Sequence, residues 1–185
     1  MASIPTIHPT VGSALETIEA RSNDILVTAR MSRAAAINIQ NVNNKNSGYV
    51  KNLNLIIKAF SKISDATNLY RAERGVVDFS LTTTNVNGNS IQTTANQLGQ
   101  LNNMMTSFAI DIATLKNASQ SQDDSSASKF CDTLGAINTQ LLYITAAMEV
   151  QRNTSSGSGV GVISFQEIFA DNDGIKYLDD LPSYE

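Results

Sequence analysis

An all-α fold, in the form of an antiparallel four-helix bundle, is predicted by three features of this sequence. Four separate stretches place apolar side chains at alternating steps of three and four, the spacing of a heptad seam. Polar links rich in Asn, Ser, Asp and Gly separate the first stretch from the second and the third from the fourth, as in αα-hairpins. The chain is also long enough, at 185 residues and 42% hydrophobic, to bury one core without disulfides or a structural metal.

Residues 1–9 read as a tail, with Pro5, Pro9 and no charge before Glu16. A first helix is predicted over Thr10 to Asn44, its seam running Val11, Leu15, Ile18, Ser22, Ile25, Ala29, Ser32, Ala36 and Ile39. The asparagine cluster before Gly48 supplies capping and turn chemistry. Tyr49, Leu53, Ile56, Phe60, Ile63, Thr67 and Tyr70 form the second seam, which Ile57 widens and Gly75 ends.

The segment Val76 to Thr84 changes period from the heptad to alternation and is rich in β-branched residues, so one short strand is expected there. The third helix, over Ile91 to Lys116, carries the strongest seam: Ile91, Thr94, Leu98, Leu101, Met105, Phe108, Ile112 and Leu115. A polar linker over residues 117–128 leads to the fourth seam, Ala127, Phe130, Leu134, Ile137, Leu141, Ile144 and Met148, and this helix should end near Arg152. The bundle thus spans residues 10–152, and residues 153–185 form a Gly/Ser linker and an acidic extension. Within it, VISFQEIF suits a second strand, pairing with the first in a small two-stranded element, and the end suits a short helix docked on the bundle.

Motifs for chemistry are sparse. Cys131, the only cysteine, sits beside the seam residue Phe130 and reads as a small interface side chain. His8, the only histidine, reads as a surface residue and cannot make a metal site by itself. The glycines at 157, 159 and 161 are not followed by GK[ST], so they read as linker and not as a phosphate loop. DNDG at Asp171 to Gly174 fails as a calcium loop: with Gly174 at position six, Phe169 falls at position one and Asp180 at position twelve. The acid pairs Asp123/Asp124 and Asp179/Asp180 lie in polar segments and read as solvated surface. No catalytic residue, metal site or cofactor is therefore expected, and the chain is not read as an enzyme.

Charge divides unevenly. Residues from Arg21 to Arg74 carry a balance of +6, and those from Gly75 onward −8. That asymmetry suits helices that complement one another, or a binding face on the first two helices. A pI near 4.9 disfavours nucleic acid. No apolar run reaches the 18 or so residues that would cross a bilayer. The beginning lacks a basic and an apolar region, so no cleaved signal peptide is expected. Polarity without charge is pronounced, with 19 Asn and nine Gln against 16% charged residues, which is compatible with helix faces that cover other protein.

A small, acidic, helical chain with an uncharged Ser/Thr/Ile/Pro beginning resembles the leaderless proteins exported by Gram-negative contact-dependent secretion systems, the EvpP-like type VI effectors among them. The resemblance covers overall organisation and no residue motif. It implies a non-enzymatic secreted virulence protein that stays in the bacterial cytoplasm before export, binds an Hcp-type tube component and meets a host protein by protein–protein interaction. A competing reading is a self-assembling homo-oligomer, such as a filament or tip subunit or a viral coat. Partner recognition is expected of the C-terminal extension, at Phe165, Ile168, Phe169, Tyr177, Leu178 and Leu181, which are too apolar for a solubilising tail.

Overall fold

The computed structural model describes residues 7–42, 47–75, 94–155 and 177–181. Among them the chain forms four helices, α1 (Pro9–Val42), α2 (Ser47–Glu73), α3 (Thr94–Ser121) and α4 (Ser125–Ser155), and one turn of 3-10 helix, η1 (Leu178–Asp180). No strand occurs among these residues. The two-stranded element expected over 76–84 and 162–169 lies outside them.

The heptad seams are the core. Val11, Leu15, Ile18, Ser22, Ile25, Ala29 and Ser32 of α1 are all buried, as are Leu53, Ile56, Phe60, Ile63, Thr67 and Tyr70 of α2. Leu101, Met105, Phe108, Ile112 and Leu115 of α3 and the whole predicted seam of α4 join them. Seam hydroxyls return their hydrogen bonds to their own helix: Ser22 Oγ donates to the Glu19 carbonyl at 2.8 Å and Ser32 Oγ to the Thr28 carbonyl at 2.9 Å. A serine or threonine can therefore sit in the seam without an orphaned donor. Phe60 and Phe108 meet edge to face across the centre, with ring centroids 5.4 Å apart.

Cross-helix bonds fix the directions. Arg33 to Asn54 and Ser64 to Asn23 align α1 antiparallel to α2. Lys116 to Asp132 and Thr145 to Asn102 do the same for α3 and α4, and Arg21 pairs with Asp111 between α1 and α3. Contacts are dense between α1 and α2, α1 and α3, and α3 and α4, and sparser between α2 and α4. Adjacent helices are thus antiparallel, while α2 and α3 lie diagonally and run the same way. Gly75 and Thr94 therefore lie at opposite ends of the bundle, the arrangement of bundles with one long crossover.

Three helix boundaries differ from the sequence expectation: α4 runs three residues past Arg152, to Ser155, and the other two differ for a local reason. The polar stretch read as a linker over 117–128 is mostly helix, and only Gln122, Asp123 and Asp124 lie outside. Ser119 is fully buried with its hydroxyl bonded to the Leu115 carbonyl at 2.6 Å, so the seam extends one turn further. Asp123 then takes φ 51°, and the Asp124 and Asp123 N–H groups bond back to the carbonyls of Ser119 (2.8 Å) and Gln120 (3.2 Å), a Schellman ending. At the other boundary α1 begins at Pro9. The Thr10 N–H donates to His8 Nδ1 at 3.2 Å, making the imidazole an N-cap, with Pro9 at the first helical position where its missing N–H costs nothing.

Candidate functional site

The beginnings of α1 and α4 and the ends of α2 and α3 meet at one end of the bundle. A cavity of about 660 Å³ opens there, lined by Ile7, His8, Arg74, Asp123, Asp124 and Ser126 with their neighbours. Gly75, at φ 83°, follows the end of α2 in a left-handed conformation that glycine adopts without strain, and Arg74 just before it lines the cavity. Asp124 occupies the turn between α3 and α4.

Asp124 does two things with one carboxylate. Oδ1 accepts the Ala127 N–H at 3.1 Å, capping α4, and both oxygens accept from Arg74, Oδ1 from Nη1 at 3.3 Å and Oδ2 from Nη2 at 2.8 Å. Arg74 Nη1 also donates to the Tyr70 hydroxyl at 2.8 Å, which donates to Ser126 Oγ at 3.0 Å. The Tyr70 ring stacks on Phe130 at 4.7 Å with planes 2° apart. The end of α2 is thereby tied to the start of α4, which compensates for the sparse contact between these helices elsewhere.

Electrostatics follow the same partners. Burial pushes the Asp124 carboxyl up, but the Arg74 hydrogen bonds, the Ala127 N–H and the Arg74 charge together outweigh it and hold the group below its ordinary value. The hydrogen bond to Asp124 raises Arg74 against burial. Asp111 goes the other way, because burial there outweighs the Arg21 charge and raises its carboxyl.

A second polar cluster lies inside the α1–α2 interface. Glu19 is 4% exposed and pairs with Arg71, and Asn68 Nδ2 donates to its other oxygen at 2.9 Å. Arg71 Nε has no hydrogen-bond partner. This pair escaped the sequence reading because Glu19 and Arg71 each stand beside a seam position, where a charge is normally solvated. Following a core residue directly is no signal, because the exposed Glu16 follows the buried Leu15 in the same way.

Cys131 is 2% exposed, and burial pushes its thiol up to about 12 despite the Lys116 charge and a hydrogen bond with Ser119. A thiol held in this way is protonated at neutral pH and a poor nucleophile. His8 engages Nδ1 with Thr10. Among the described residues no group of three His, Cys, Asp or Glu side chains is placed to hold a metal, and no helix is long and apolar enough to cross a membrane.

The extension returns to the bundle. Leu178 (8% exposed) and Leu181 (6%) belong to the core cluster, η1 touches α2, and Lys62 Nζ lies 3.6 Å from Asp179 Oδ1. Tyr177, held at φ 72°, is 51% exposed. Of the six residues expected to meet a partner, then, two are anchors on the bundle and one faces solvent, while Phe165, Ile168 and Phe169 lie outside the described residues. Comparison with family models, with curated proteins and with solved structures finds no match for the chain.

Proposed function

We propose that this chain is a non-enzymatic protein that acts by protein–protein contact, exported as an effector of a contact-dependent, type VI class system, with recognition carried by residues 153–185. The observation that supports this reading is the docked turn. Burying Leu178 and Leu181 on α2 while leaving Tyr177 in solvent makes η1 an anchor that fixes one end of the extension and displays an aromatic side chain, the residue type enriched at interface centres. The polar groups at the cavity end bond to one another, and Cys131 is enclosed, so the bundle serves as scaffold. The partners are a tube component of the export machinery and a host protein.

Export and pulldown of the full chain and of a chain truncated after Arg152 test this. The truncated protein should keep its helical signal and lose both export and tube binding. Normal export and binding by the truncated protein would place recognition on the bundle and overturn the assignment.

A further inference from the structure

We propose that the outer face of the α3–α4 hairpin is a self-association surface, on which a second copy of this chain packs through the same residues across a two-fold axis. Every exposed residue of α3 from Gln100 to Ser121 is uncharged. On α4 no charged residue occurs from Thr133 to Met148. The exposed positions of the α1–α2 hairpin, by contrast, include Glu16, Arg21, Arg30, Lys58, Lys62 and Asp65. A solvated helix face normally carries charge, as the first hairpin does along its length, whereas between Gln100 and Met148 the helices of the second carry exposed charge only at Lys129 and Asp132, beside the turn.

The uncharged face has the spacing of a second seam. Thr106, Ile110 and Ala113 on α3, and Ala136, Thr139 and Tyr143 on α4, recur at steps of three and four on the side opposite the core. Ile110 is 64% exposed and Tyr143 60%, the two most exposed large apolar side chains among the described residues. Thr106, Ala109 and Ala113 flank Ile110, leaving room for a facing helix to approach and for this side chain to insert.

Charge selects the occupant. A two-fold interface brings a patch against itself, so charges on it meet their own sign near the axis. A face without charge avoids that repulsion, whereas a charged partner would leave its own groups unpaired here. The nearest charges, Lys116 and Asp132, neutralise each other at 2.7 Å on the hairpin's rim. The face uncharged on both helices runs ~24 Å along them and ~20 Å across the two, or ~480 Å² per protomer, the size of a weak, concentration-dependent contact beside the ~800 Å² of a standard interface. A two-fold contact closes on itself, so the assembly is a dimer and not a filament. This inference does not rest on the recognition role given to residues 153–185, and either can fail alone.

Sedimentation of the full chain from low to high micromolar concentration tests it, with two double variants. Ile110→Lys/Thr139→Lys and Ile110→Glu/Thr139→Glu alter exposed positions, and circular dichroism checks that each keeps its helices. The wild type should show a monomer–dimer equilibrium, each variant alone should weaken it about tenfold or more, and an equimolar mixture of the two should restore it by opposite charge. Val27→Lys, at an exposed position on α1, should leave it unchanged. A wild type that stays monomeric, one that grows into open polymers, charged variants that dimerise as well as the wild type, or a mixture that fails to recover would each overturn the proposal.

Discussion

Asp124 caps α4 through the Ala127 N–H and clasps Arg74 with both oxygens, so one side chain joins the α3–α4 turn to the end of α2. Removing it should therefore cost more than an ordinary cap. Asp124→Ala loses a cap worth ~1 kcal/mol and charged hydrogen bonds worth ~1.5–3 kcal/mol, giving a loss of about 2–4 kcal/mol in urea unfolding. Asp124→Asn keeps the cap and should lose only the share due to Arg74.

The two half-buried carboxylates should give stability opposite dependences on pH. Asp124 is held below its unfolded value, so its contribution is present above that value and fades as the pH falls through the lower, folded one, starting near ~4. Asp111 is raised, so its contribution is present below the unfolded value and is lost as the pH rises through the folded one. At neutral pH Asp111→Asn should then be no less stable than the wild type, and Asp124→Asn should be less stable. Unfolding free energies of both variants between about pH 3 and pH 7 check this. A steeper acid loss in Asp124→Asn than in the wild type would contradict the assignment.

Glu19 and Arg71 bear on stability in a different way. Glu19→Ala should cost ~3–5 kcal/mol, because it strands a guanidinium that is buried, whereas replacing both with Met and Leu should be near neutral. A double-mutant cycle on thermal unfolding separates the two. Equal losses in the single and double variants would mean that packing, not charge, governs this part of the interface.

The core was legible in the sequence because period and burial report the same thing. Where a heptad position carried Ser22, Ser32 or Thr67, the period still held, and the side chain closed its hydrogen bond on its own helix. The buried pair was illegible because nothing local distinguishes Glu19 from the solvated Glu16: only α2, brought alongside by the fold, does. The α3–α4 turn was partly legible. Asp and Ser are residue types that suit a helix cap, but Ser119 could not be seen as core, since a lone serine carries no apolar signal. The docking of Leu178 and Leu181 on α2 was foreshadowed only by their apolar character in an acidic segment.

Cys131 should behave as a packed side chain. With its thiol pushed up to about 12, it should resist an aromatic disulfide reagent in the folded protein and react at once in denaturant. Cys131→Ser should lower stability by ~1 kcal/mol, since a hydroxyl replaces the thiol in an apolar interface. Rapid reaction of the folded protein would show that the α3–α4 interface opens.

Leu101→Asp tests the seam itself. Leu101 is fully buried, and an unpaired carboxylate there costs several kcal/mol against a total stability of ~5–15 kcal/mol. Loss of the helical circular dichroism signal is the expected result. A folded variant would mean that α3 can rotate its seam away from the core.

The diagonal placement of α2 and α3 makes the connection between them a matter of reach. Gly75 lies at the end of the bundle where α3 finishes, and Thr94 lies at the other, a separation of ~40 Å for helices of 27 and 28 residues. The intervening residues 76–93 can extend to ~60 Å at ~3.3 Å each, which is ample. Replacing them with a Gly/Ser linker of equal length should therefore preserve the helical signal and lower the melting temperature only modestly. Cutting the connection to about ten residues leaves a reach of ~33 Å, which is too short. The shortened chain should then either unfold or exchange its α3–α4 hairpin with a second molecule, appearing as a dimer in which both hairpins are intact. A monomer with an unchanged melting temperature after that deletion would mean that α3 starts beside the end of α2, and the crossover topology would be wrong.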